Sequence, residues 1–185
     1  MRRRRRPQPR RQPAAVTRTG ERRLRTLPEL LLLPRRSPLY PQLARALAAA
    51  DELHLLHSDL DPVPVRATST TSQSGCYRLR AGDPVDVRVS RRHSRVALSF
   101  LHELGHLLDH QLGHELGPGW ASGQHEAFAD WRNAASELEP RLQAGVGRSR
   151  RRYFNSAKEV WARSYAQAVL TNSGDPWLCD HLAGL

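Results

Sequence analysis

The chain has 185 residues, enough for one domain with a tail. Its formal net charge is +11, but residues 1–36 hold 13 arginines against two acids, Glu21 and Glu29, so this arm carries the whole excess and residues 37–185 balance 16 basic against 16 acidic side chains. A neutral body excludes reading the domain as a nucleic-acid binder on charge alone, and the longest apolar run at the front, Leu30 to Leu33, is too short for a membrane span or a signal peptide.

The expected location is therefore cytoplasmic, with Cys76 and Cys179 as reduced thiols. Of the 29 basic residues 28 are arginine and one is Lys158, a bias that fits a GC-rich coding sequence.

Residues 1–36 read as a disordered basic arm. The segment is rich in Pro and Arg and lacks an apolar period, so it cannot bury enough surface to offset chain entropy. A short amphipathic piece fits around Leu24 to Leu33. The arm suits electrostatic attachment to nucleic acid, anionic lipid or an acidic partner.

Residues 37–185 read as the folded domain. Leu39, Leu43, Leu47, Leu53 and Leu56 predict a helix over about 39–57. Residues 65–89 read as strands: Tyr77 and Leu79 alternate with Arg78 and Arg80, and Val85, Val87 and Val89 alternate with Asp86 and Arg88, across a turn at Ala81 to Pro84. Ser94 can cap a helix that runs to about Leu112, where Gly113 can end it. Further helices are predicted over about 122–144 and 156–171. The fold class is α+β, with a small, antiparallel sheet packed on an active-site helix and later helices completing the site.

The informative stretch is Ser99 to Asp109, which contains His102-Glu103-Leu104-Gly105-His106, an H-E-x-x-H motif. Histidines at i and i+4 stand one above the other on a helix, so both imidazoles can bind one metal ion. Glu103 lies between them and can deprotonate a metal-activated water. One zinc ion suits this donor set. Apart from the motif's own His and Glu, the positions from Ser99 to Leu108 are uncharged, as a buried helix requires. The reaction this predicts is metal-assisted peptide hydrolysis, that of a zinc metallopeptidase, a hydrolase.

A catalytic zinc needs a third protein ligand. His110 and His114 continue the histidine stripe but cannot converge with the other two on one tetrahedral ion from a straight helix. Position 112, where a metzincin ligand would stand, is Leu112, which excludes that arrangement. Glu126 and Glu159 remain. Glu126 opens an E-x-x-x-D with Asp130, which resembles the thermolysin-type gluzincin arrangement, and Glu159 lies 53 positions after His106. Tyr153, Tyr165 and His125 are candidates for stabilising an oxyanion. Trp120, Trp131, Trp161 and Trp177 read as core.

HELGHLLDH followed by YFNSAKEVWARSYAQ resembles the metallopeptidase domains of phage and mobile-element polyproteins, the large polyvalent protein-associated domains. These in turn resemble the ATLF-like, lethal-factor-type zincins. The resemblance covers about residues 76–170. It implies a zincin-like fold of gluzincin type, with His102, His106 and Glu159 as zinc ligands and Glu103 as general base. It also implies that Asp109 orients a ligating histidine and that Arg163, one turn after Glu159, holds that carboxylate or meets substrate. The expected partner is a peptide or protein substrate. The alternative is a catalytically silent zincin-fold regulator or binding module whose arginine-rich arm contacts nucleic acid.

Overall fold

The computed structural model describes residues 26–54, 61–117, 119–142 and 152–182. Three long helices and one face of a small sheet enclose the core. In chain order the elements are α1 (Leu27–Leu30), β1 (Leu31–Leu32), α2 (Tyr40–Leu53), β2 (Val63–Thr68), β3 (Gly75–Arg80), β4 (Asp83–Ser90), α3 (Val96–Leu116) and α4 (Ala121–Gln124). A 3-10 turn, Glu126–Phe128, leads into α5 (Ala129–Leu142), followed by α6 (Ala157–Asn172) and α7 (Pro176–Cys179). The class is α+β.

The sheet has four strands in the order β1-β2-β4-β3. It is mixed rather than antiparallel as expected. β1 pairs with β2 in parallel, β2 pairs with β4 in parallel, and only β3 runs antiparallel, against β4. Alternation along a strand reports its two faces but not its direction relative to a neighbour. β3 is an edge strand, and it lies beside the middle of α3.

The period-2 pattern of β4 sorts as its sequence suggests. Val87 and Val89 are fully buried against the helices. Asp86, on the opposite face, is also buried, beneath arginines from all three long strands. Arg78 donates Nε to Oδ1 and Nη2 to Oδ2, both at 2.6 Å, while Arg66 and Arg88 approach Oδ2 at 3.1 and 3.4 Å. Arg78, foremost by its hydrogen bonds, and Arg88 hold the Asp86 carboxyl below the usual carboxylate range.

Two boundaries move. The domain does not begin at residue 37: Leu27, Leu30 and Leu31 are buried in the core, and Leu27 N–H donates to Asp51 Oδ1 of α2 at 3.0 Å. Residues 1–25 lie outside the described residues, and so does the arm's role. α3 does not stop at Gly113 but runs to Leu116. A Cβ on Gly113 would stand 2.0 Å from the Gly119 carbonyl oxygen, so glycine there admits a crossing backbone rather than ending the helix. Ser94 does not cap α3; Arg95 holds the N-cap position, and Ser99 Oγ donates to the Arg95 carbonyl at 2.9 Å.

The single helix expected over 122–144 is divided. α4 ends at His125, whose backbone is extended, and α5 begins after the 3-10 turn. Phe128, Trp131 and Trp161 then pack edge to face, with Phe128 and Trp131 centroids 4.8 and 5.5 Å from Trp161, which docks the start of α5 on α6. Both cysteines are free thiols. Among the described residues no helix is long and apolar enough to cross a membrane.

Candidate metal centre

α3 presents two faces. Val96, Phe100, Leu101, Leu104 and Leu107 are buried in the core. The other face carries His102, His106 and His110 at successive i+4 steps, with Gly105 beside them. α6 packs there because it is small where α3 is small. A Cβ on Gly105 would lie 2.9 Å from Ala162 Cα, so the two helices approach almost backbone to backbone. Ala162, Ala166 and Val169 continue the buried face of α6, and Glu159, one turn before Ala162, opens it.

That packing brings Glu159 to the histidines. His102 Nε2 lies 3.4 Å from Glu159 Oε2, and His106 Nε2 lies 3.3 Å from Glu159 Oε1. One ligand atom from each of the three lies within 4.8 Å of the other two, so the group can hold a metal ion. The donor set fits: two imidazole nitrogens and one carboxylate, converging from two rigid helices, leave a coordination position open. His106 Nδ1 is buried without a hydrogen-bond partner among the described residues. Burial works to raise the pKa of Glu159, but hydrogen bonds from His102, His106 and Tyr153 outweigh it and hold the carboxyl well below the usual carboxylate range.

Glu126 takes no part in this group. It is exposed on the 3-10 turn, and Asp130 is exposed one turn on. The Phe128–Trp131–Trp161 contact fixes that segment on the outer side of α6.

Glu103 lies in the same cleft, 7% exposed. Its Oε2 accepts a hydrogen bond of 2.6 Å from the Tyr77 backbone N–H of the edge strand. A Cβ on Gly75 would meet Glu103 Cγ and Oε1 at 2.7 Å, so the bare glycine gives this carboxylate its room. Burial pushes the Glu103 carboxyl above its ordinary value, against the lowering effect of His102, His106 and the Tyr77 amide.

The remaining sequence candidates fall in separate places. Asp109 is buried and accepts from Ser122 N–H and Oγ, each at 2.6 Å. Among the described residues no hydrogen bond joins it to a histidine; it anchors α4, two residues after Trp120. Arg163 donates to the Phe154 carbonyl and lies 5.5 Å from the Phe154 ring centroid, so it fastens the turn that carries Tyr153. Tyr153 itself lines the cleft. Tyr165 belongs to the core, with its hydroxyl 2.8 Å from His54 Nε2. His125 Nδ1 accepts from Ala127 N–H at 3.2 Å, within its own turn. His110 Nδ1 pairs with the Tyr77 hydroxyl at 3.1 Å, and His114 stacks on His110.

The cleft is about 300 Å³, bounded by β3, α3 and the start of α6. Sequence reasoning missed three of its walls. The backbone of Gly75 to Tyr77 carries no side-chain signal. Trp120, expected in the core, packs edge-on against His106 with centroids 5.7 Å apart. Lys158 also lines the cleft, and its signal was its rarity: it is the one lysine among 29 basic residues.

Compared with known proteins, the chain matches no family model, no curated protein and no solved structure.

Proposed function

We propose that this protein is a zinc-dependent metallopeptidase with a zincin-like, gluzincin-type site. The observation that carries the reading is the convergence of His102 Nε2, His106 Nε2 and a Glu159 carboxylate oxygen within 4.8 Å, with Glu103 beside them in one cleft. His102, His106 and Glu159 would hold the ion. When bound, zinc supplies Lewis acidity toward a water and a peptide carbonyl. Glu103 accepts the proton of the attacking water and delivers it to the leaving amine nitrogen. Tyr153, beside Glu159, would donate a hydrogen bond to the oxygen that gains charge. Trp120 and the β3 backbone wall the cleft and exclude water from one side.

The silent-module reading has one observation in its favour: Tyr77 N–H already occupies an oxygen of Glu103. A single experiment separates the two. The full chain is loaded with zinc, its metal content is measured, and a peptide pool is followed with and without a chelator. A peptidase binds one zinc per chain, cleaves, and stops on chelation, and Glu103→Gln keeps the metal while losing hydrolysis. Stoichiometric zinc with no cleavage of any peptide overturns the enzymatic reading. Cleavage undiminished in Glu103→Gln overturns the role of Glu103.

A further inference from the structure

The chain's sole lysine stands in the cleft, adjacent in sequence to Glu159. Its ammonium lies 5.1 Å from the centroid of the Trp120 ring. A cation over an indole face is held in place and partly desolvated, yet it keeps donors free for an incoming acceptor. Among the described residues Lys158 forms no ion pair. The two carboxylates that share the cleft are engaged elsewhere, Glu159 by both histidines and Glu103 by the Tyr77 amide. None of the cleft's other lining residues, Cys76, His106 and Tyr153 among them, is a carboxylate. A positioned positive charge that forms no ion pair among the described residues, set against an aromatic wall in the same cleft as Glu103 and Glu159, can receive an incoming anion.

We propose that Lys158 and Trp120 form a subsite for a carboxylate of the substrate, so that peptides carrying one close to the scissile bond are preferred. The Lys158 ammonium pairs with the carboxylate, and the Trp120 ring holds the ammonium in position to do so. The carboxylate comes from an Asp or Glu side chain or from a free C-terminus. The subsite rests on the peptidase reading and deepens it.

The test uses the full zinc-loaded chain and matched peptides: Asp or Glu against Asn or Gln near the cleavage point, and free against amidated C-termini. The acidic member of a pair is expected to have about tenfold higher kcat/KM, the contribution of one charge-assisted hydrogen bond. Lys158→Met should collapse that ratio toward one, and Lys158→Arg should retain most of it. The pair that shows the ratio identifies the source of the carboxylate. Equal rates within both pairs, or a ratio unaltered in Lys158→Met, overturn the proposal. If no peptide is cleaved, the peptidase reading fails by itself, and the subsite is judged by fluorescence anisotropy of the same labelled peptides on the Glu103→Gln chain. A Lys158-dependent tenfold difference in Kd there sustains the subsite, and no difference ends it.

Discussion

Gly105 and Ala162 touch through their backbones. The space for a methyl group on Gly105 is taken by Ala162 Cα, 2.9 Å from where that Cβ would stand, with the Tyr165 ring at 3.2 Å. Everything in the metal centre depends on this contact, because Glu159 and His102 each lie about one turn from it on their own helices. Gly105→Ala should push α6 away from α3. The expected cost is about 1–3 kcal/mol of stability from overpacking, read as a lower urea midpoint. Zinc affinity should weaken as well, although no ligand is touched. A variant that keeps both the midpoint and the affinity would show that the helices give way without consequence.

The choice of third ligand is open to direct measurement. Glu159→Gln should weaken zinc binding at least about a hundredfold in a chelator competition, since even outer partners of a ligand cost tenfold to a hundredfold. Glu126→Gln should leave affinity unchanged, because that side chain is exposed on the far side of the aromatic contact. The reverse result would place Glu126 at the ion.

Gly75→Ala asks whether Glu103 needs its present position. The new Cβ meets Glu103 Cγ at 2.7 Å and must displace it. Zinc content should persist, while hydrolysis falls by about a hundredfold or more, the usual contribution of a general base. Wild-type rates in this variant would mean that Glu103 works from somewhere else.

Asp86 sets an acid limit on stability. Its folded-state pKa is depressed by Arg78, Arg88 and their hydrogen bonds. A depressed carboxylate contributes stability that is fully present above its unfolded value, about 3.9, and that is lost as pH falls through the folded value. Wild-type stability should therefore decline as pH drops below about 4. Asp86→Asn should show a shallower decline in that window. It should also be less stable at pH 7 by about 1–3 kcal/mol, because arginines gathered around one buried carboxylate are left without it. Urea midpoints across the pH range measure both effects.

The legible parts of this protein were those with local causes. The i,i+4 spacing of His102 and His106 places both on one helical face whatever surrounds it. The Val87 and Val89 alternation sorted β4 correctly. Glu159 was nominated by the stretch from Tyr153 to Tyr165, and the face it shares with Ala162 and Ala166 explains why that stretch turns it inward. The illegible parts had remote causes. Gly113 looks the same in sequence whether it ends a helix or makes way for Gly119. The direction of β2 against β4 depends on how the chain returns across the sheet, which no run of valines records. Leu27, Leu30 and Leu31 stand beside arginines in sequence, while their burial depends on α2 and β2. Trp120 and Lys158 are single residues without a period, and only the fold brings them together.

The two histidines and the glutamate belong to different helices, with Glu159 53 positions after His106 along the chain. An ion held by all three is therefore a clasp as well as a reagent. It binds the docked pair of helices and not the separated one, so every increment of binding energy is also a penalty on undocking, about 2.7 kcal/mol at a hundred times Kd. Thermal unfolding should then report metal supply, and a metal-starved chain should loosen first along the seam between α3 and α6.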